Sequence, residues 1–425
     1  MDSVQIFRMI FVFLGVLCFC LVGPSSWAES ESAFNVSMGG RGYHSGESSG
    51  IFAGKLRVRY EGSERWRWRA DGEWIYESSH DELAFGGQEL RMELGSEKKF
   101  LSAGLVSAKF GGAGVLNPWS QINAKDRHQP QQTLTLPSPG VQYEHRGLSS
   151  LFSITLWPWR WPDRLPGAHS VWWPRQESLP LKIEDPVVLL SKNPEYNVQP
   201  AKDLDTGLRN NLAVQWKNEI FGTDIALFYF EGHLGAPSLV PTLNGKIIEV
   251  SPRTVLQLDD EVEIQPIYSR RRATGYHLQK EIWNLILQHH LLIAENVSDP
   301  SLRSTQLHAS VEKFINSRLF SGLVFLEYAK VWEAESSELQ NMVDIFSDTT
   351  LLGARWNWTN DSSLTIGYLH HLLSHANLAQ VQVDTRWTST WSTALSLFSL
   401  FGPAESLSGI YSPNSYAQLQ VIASF

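Results

Sequence analysis

The chain of 425 residues has two cysteines, Cys18 and Cys20, and both fall within its first 28 residues. Beyond that point there is no thiol, which excludes disulfides and thiol chemistry from the remainder. Basic charge is also scarce: 35 Lys and Arg stand against 44 Asp and Glu, a net charge of -9. That balance offers no footprint for nucleic acid. Only one long apolar run occurs, from Met9 to Val22, and it is shorter than the ~20 residues a spanning helix needs. Metal and catalytic signatures are equally thin. The doublets His289-His290 and His370-His371, with His375 nearby, cannot chelate one ion from a strand, because neighbours on a strand face opposite sides. The run Asp259-Asp260-Glu261-Val262-Glu263 has oxygen ligands for a divalent cation but reads as a solvated loop. No Ser–His or acid–His motif singles out a catalytic set. No catalytic residue, metal or cofactor is expected.

What is present begins at the N-terminus. Arg8 precedes the apolar run, and Gly23-Pro24-Ser25-Ser26-Trp27-Ala28 follows it. Small residues at Ser26 and Ala28 sit three and one positions before a cut ahead of Glu29, the layout of a secretory signal peptide. Lipoprotein processing is excluded, since Leu17 and Phe19 stand before the cysteines where a small residue is needed. The reading is therefore a signal peptide over 1–28 and a mature chain over 29–425, about 400 residues with 17 Trp in the whole sequence.

The mature chain is dominated by period two. Trp66, Trp68, Ala70, Gly72, Trp74 and Tyr76 alternate with Arg67, Arg69, Asp71, Glu73 and Ile75; Phe52, Gly54, Leu56, Val58 and Tyr60 alternate with Ala53, Lys55, Arg57 and Arg59. Each segment has one apolar and one charged face. Large aromatics at strand ends and dense charge on one face suit lipid outside and a polar lumen inside. Strands are predicted over 34–44, 50–60, 65–77, 86–96, 99–110, 139–145, 149–158, 207–217, 221–231, 271–282, 284–294, 303–315, 318–331, 349–358, 362–371, 378–387, 390–400 and 415–425. Most have the ~9–11 residues of a tilted membrane strand. Short turns at Glu61-Gly62-Ser63, Glu97-Lys98, Arg146-Gly147, Asn218-Glu219, Asn316-Ser317 and Asn360-Asp361 alternate with longer segments at 78–85, 111–138, 159–206, 232–270, 332–348 and 401–414. Outer-membrane barrels show this asymmetry, with short periplasmic turns and long external loops.

The last strand closes the pattern. Ala417, Leu419, Val421, Ala423 and Phe425 form one apolar face. This resembles the C-terminal signal read by the barrel-assembly machinery, so that machinery is an expected partner, along with outer-membrane lipid and lipopolysaccharide. The expected fold is all-β, a transmembrane antiparallel up-and-down barrel of about 18 strands, with 16 the alternative, in the bacterial outer membrane. A soluble two-sheet protein of the periplasm is the rival fold.

Two constellations carry functional expectations. Lys55, Arg57, Arg59, Arg67, Arg69, Asp71 and Glu73 should line the lumen, where charge and width set selectivity. The second is the segment from Leu116 to Pro174, with Asn117, Pro118, Asp126, Trp159, Arg160, Trp161, Arg164, Trp172 and Trp173. Prolines stiffen it, and clustered Trp and Arg suit sugars or aromatic ligands. Asn117-Pro118, then Lys125-Asp126, a Leu-Pro with a strand, and a Pro- and Arg-rich stretch resemble a set of poorly characterised outer-membrane porin-like proteins over roughly 105–175. In architecture the chain is also similar to alginate-export and substrate-specific porins. The resemblance implies that this loop folds towards the pore. Trp119 and Ser120 stand where that set has an acidic residue. Because 16–18 strands leave an aqueous channel, the expected function is passage of a small polar or organic solute. A barrel enzyme on lipid or surface polymer, and a structural or blocked barrel, are the rivals.

Overall fold

The computed structural model of the chain describes residues 29–425 except 47, 64–65, 79–81, 109, 111–114, 128–133, 167–169, 171–172, 174–186, 190–194, 201–208, 234–236, 243, 252, 301–302, 318–320, 334–347, 360 and 405. Residues 1–28, read above as a signal peptide, and Trp172 thus lie outside the described residues.

Eighteen strands form one sheet. They are β1 (Glu29–Tyr43), β2 (Ser48–Ser63), β3 (Trp66–Glu77), β4 (Glu82–Gly95), β5 (Lys99–Val106), β6 (Ser138–Arg146), β7 (Ser150–Trp159), β8 (Arg209–Ile220), β9 (Thr223–His233), β10 (Arg270–Ile282), β11 (Leu285–Asn296), β12 (Arg303–Asn316), β13 (Ser321–Glu333), β14 (Thr349–Thr359), β15 (Ser362–His371), β16 (Asn377–Arg386), β17 (Trp391–Phe401) and β18 (Tyr416–Ser424). Each pairs antiparallel with its chain neighbours, and β1 closes on β18, with Asn35 opposite Ser424 and Tyr43 opposite Tyr416. Phe425 completes the seam by exchanging two backbone hydrogen bonds with Phe34, at 2.9 and 2.8 Å. Closure leaves no unpaired edge, the condition for a sheet in lipid.

Each of the eighteen predicted strands has its counterpart, but the hairpin geometry moves some boundaries. Asn218 and Glu219 belong to β8, and the turn is at Phe221 and Gly222, both with positive φ. That is the two-residue hairpin whose twist matches the strands it joins; the pair Trp283-Asn284 repeats it. Glu61 to Ser63 remain in β2, which absorbs a bulge against β3. β4 starts at Glu82, so 78–85 shrinks to a four-residue connection, and β5 stops at Val106 because the chain turns into the barrel.

Outward and inward faces separate cleanly. Met38, Phe52, Trp68, Leu94 and Leu419 are exposed, while Arg41, Glu77, Arg91 and Gln418, on the alternate positions, are buried inside. The segment 232–270 is not plain loop. Its strand Glu261–Ile267 pairs with Glu195–Val198 and Ser238–Thr242, and Val255–Leu258 pairs with Val187–Leu189 and Gly245–Glu249. These two small sheets belong to the connections at the long-loop end.

Candidate functional site

The connection from β5 to β6 folds into the lumen as an Ω-shaped excursion. Its neck is closed by one side chain. Asn123 Oδ1 accepts the Ala108 N–H at 2.9 Å, and Asn123 Nδ2 donates to the Ala108 carbonyl at 2.7 Å. An asparagine amide fits this task because it presents a donor and an acceptor side by side. Between these residues the chain travels from β5 to β13, eight positions away in an 18-strand ring and so nearly opposite. There the buried Glu327 carboxylate of β13 accepts the N–H groups of Val115 and Leu116, at 3.1 and 3.0 Å. His308 Nε2 lies 3.0 Å from the same carboxylate. Leu116 packs with Ala329, Leu351 and Leu369.

The return path rests on the wall. Asn117 caps the short 3-10 turn Pro118–Gln121, its Oδ1 accepting the Trp119 N–H at 3.0 Å. Pro118 occupies the first turn position, where a missing N–H costs nothing. Trp119 is buried against Phe228 and Phe110, with ring centroids 4.7 and 5.6 Å away. Gly275 of β10 makes room for it: a Cβ there would stand 2.7 Å from Trp119 Cζ2.

A clasp then joins this loop to the connection after β7. Arg164 pairs with the buried Asp126 at 2.9 Å, and Arg127 pairs closely with the buried Asp163. The backbones interlock as well, Arg127 N–H donating to the Arg164 carbonyl at 2.8 Å and Arg164 N–H to the Lys125 carbonyl at 3.0 Å. Burial and the Arg127 charge hold the Lys125 ammonium below its usual range, while Asp163 acts the other way. Arg160 is the inner bolt. It donates to the Ile122 carbonyl and, at 2.7 Å, to the His233 carbonyl, with Trp157 and Phe230 rings each 5.3 Å away. Burial pulls its pKa down to about 10, against the favourable charge of Asp163, so it is charged at neutral pH.

Of the segment residues singled out in the sequence, Asn117, Pro118, Asp126, Arg160 and Arg164 meet in this loop system. Trp159 and Trp161 stack edge to face at 4.4 Å beside it. Trp173 does not reach it: it stacks on Tyr196 at 5.0 Å in the small sheet of the outer connections. Sequence reasoning missed Asn123, Arg127, Asp163 and Glu327. The first three sit in the same Trp- and Pro-rich segment; Glu327, on a distant strand, carries no local signal.

The charged row on β2 and β3 faces inward, opposite exposed Phe52 and Trp68, but it is paired. Lys55 meets Glu73 at 3.4 Å, Arg57 meets Asp71 at 3.3 Å, Arg69 meets Glu93 at 3.3 Å and Arg67 meets Glu97 at 3.9 Å. Arg59 stands between them on the same face. A polar cavity of about 420 Å³ lies at the short-turn end, lined among others by Arg355, Asp384 and Arg386.

The histidines divide as their strand positions require. His290 points inward, stacked on His277 at 4.2 Å and tilted by 60° to His308 at 4.9 Å, whereas His289 faces out against Tyr276 at 5.6 Å. Among the described residues no group of three or more His, Cys, Asp or Glu has metal-holding geometry. At the rim, Ser374 Oγ lies 2.8 Å from His371 Nδ1, but the Ser374 N–H reaches the same nitrogen at 2.9 Å. One lone pair serves both, which is a turn closure rather than an activated hydroxyl.

No family model and no curated protein matches the chain. Among solved structures, Pseudomonas aeruginosa OccK2 (OpdF) aligns over 94% of this chain and 97% of its own at 10% identity, with a TM-score of 0.51. A complex of OccK2 with glucuronate gives 0.50 at 10% identity over 94% and 95%. P. aeruginosa OpdK with vanillate gives 0.50 at 8% identity over 93% and 98%. At such identities the likeness is one of fold: this chain has the closed 18-stranded barrel of outer-membrane porins.

Proposed function

We propose that the protein is an outer-membrane channel for a small polar or organic solute, narrowed by the 108–123 loop. The observation that carries this reading is the anchoring of that loop at both sides of the lumen: Asn123 closes it on β5's side and Glu327 holds its tip on β13. A loop that only decorated the rim would need neither a buried carboxylate nor a neck. Barrels of this size enclose more space than their own side chains fill, and an inward loop is the physical means of making such a lumen selective. Glucuronate and vanillate, present in the structures of two similar barrels, support small organic acids as first solutes to try. The inward charges of β2 and β3 are largely paired, so along this stretch of wall selectivity rests on width and on the loop more than on a one-signed field. The clasped Asp126–Arg164 and Arg127–Asp163 pairs keep the loop's return limb fixed while solute passes.

Purified full-length barrel in planar bilayers and in liposomes tests this. Stepwise currents, and uptake that falls with solute size, are expected. Absence of current at every voltage from a heat-modifiable, folded barrel would refute the reading and favour a blocked structural barrel.

A further inference from the structure

On the outer face of the barrel, at the end opposite the chain termini, one row of charges runs across four strands. Glu231 of β9 stands opposite Arg272 of β10, Arg272 opposite Glu295 of β11, and Glu295 opposite Arg303 of β12. Arg270 joins from above, 3.1 Å from Glu231. Arg272 reaches both acids, at 3.4 Å each. These residues share a face with exposed Leu227, Leu287 and Val311, and the alternate positions Ala273, His277, Ala294 and Ser304 are buried inside. The row therefore faces the lipid side.

Its level is fixed by cost. An arginine is strongly unfavourable at the bilayer midplane and nearly neutral at the interface. Along β10 the next outward charge is Lys280, eight residues on and so about 26 Å along the strand. The outward positions between them are Thr274, Tyr276 and Leu278. At the ~35–45° tilt of such strands the two charges bracket an apolar band about 20 Å high, somewhat short of the usual ~25 Å belt, which places the arginine row at the headgroup level of the leaflet on the long-loop side. Three arginines face two carboxylates, leaving a net charge of one positive unit. Arg303 is exposed and makes no ion pair among the described residues.

We propose that the Arg270–Arg272–Arg303 row is a binding site for the phosphorylated headgroup of an outer-leaflet glycolipid. A phosphate seated on Arg303 at the end of the row, on the side away from Glu295, gains charge-assisted, bidentate hydrogen bonds. Glu231 and Glu295 hold the guanidinium planes in position along the sheet while the acyl chains lie on Leu227, Leu291 and Leu307 below. A free phosphate lacks that second half of the site, so the occupant is a lipid.

The test measures retention of a diphosphorylated lipid A by the delipidated full chain in detergent, using native mass spectrometry. Wild type should retain it at least tenfold better than the same lipid stripped of phosphate. Arg303→Gln breaks no ion pair, so its barrel should fold, and it should bind about tenfold more weakly. Lys280→Gln, at the opposite rim, should bind as wild type does. Equal retention of both lipids, unchanged binding by Arg303→Gln, or an equal loss in Lys280→Gln would each overturn the proposal. None of these outcomes touches conductance, so the channel reading stands or falls separately.

Discussion

Replacing Glu327 with glutamine should free the tip of the inward loop while leaving the barrel intact. The carboxylate accepts the Val115 and Leu116 N–H groups at 3.1 and 3.0 Å, one on each oxygen, and lies 3.0 Å from His308 Nε2. A glutamine has the same shape but only one acceptor oxygen. Whichever way the amide turns, its NH2 faces one of the two loop donors. Leaving a buried N–H unsatisfied costs about 1–3 kcal/mol, and the lost charge assistance adds about 1 kcal/mol. The sum, about 2–4 kcal/mol, multiplies the population of the released tip by about 30- to 1000-fold. Glu327 lies on β13 with Leu326 and Tyr328 facing outward beside it, so the wall itself keeps its ladder of hydrogen bonds. Single-channel recording reads the effect: E327Q should show larger open-state noise and frequent excursions to higher conductance. A variant that migrates as a folded, heat-modifiable barrel yet records like wild type would refute the anchoring argument.

Three further outcomes follow from the same geometry. Asp163→Asn weakens the clasp to Arg127 and the bond from the Lys125 N–H; partial exposure of Arg127 tempers the loss, so amide exchange at Lys125, Arg127 and Arg164 should quicken by about 5- to 30-fold, and unchanged exchange would count against the clasp. In the lumen, Arg57→Gln strands Asp71 and should shift the reversal potential towards cations, while Asp71→Asn should shift it the opposite way, since the two are paired at 3.3 Å; no shift in either would remove this row from the pore lining. Burial pushes the Tyr411 phenol, in the connection between β17 and β18, up to about 12. Below pH 10 the phenol is protonated whether the connection is folded or released. Between 10 and 12 only the released form ionises, so the folded connection loses stability as pH rises through that window; absorbance titration should show one delayed tyrosine fewer in Tyr411→Phe than in wild type, and equal numbers would count against the burial of this phenol.

How much of this was legible in the sequence follows from what period two can encode. Strand identity and face are local properties, so Trp66 to Tyr76 announced an apolar and a charged side without any knowledge of neighbours. The strand number followed from counting such segments. Turn position did not: Asn218-Glu219 looks like a turn by residue type, but Phe221-Gly222 has the glycine that positive φ needs. The inward loop was half visible. Proline and tryptophan marked the segment, and Asn117, Asp126, Arg160 and Arg164 were the right residues. Their partners were hidden for different reasons. Asp163 lies 36 residues from Arg127, the side chain it pairs with, and Glu327 is one inward acid among many until the loop arrives on it. The His277–His290–His308 row is likewise a product of register across three strands, invisible to any pattern read along one. Lumen charge was legible as residue type and misleading as field, because cross-strand register sets Asp71 against Arg57 and Glu73 against Lys55.

In the channel proposed above, the 108–123 excursion is what narrows the lumen. Its closed neck makes it excisable, since Ala108 and Asn123 already lie within hydrogen-bond distance. The most direct measurement is the single-channel conductance of wild type against a variant in which 109–122 is replaced by two glycines. Small, discrete currents are expected in wild type and a several-fold larger, solute-indifferent conductance in the variant. Equal conductance in the two folded barrels, or silence in both, would contradict it.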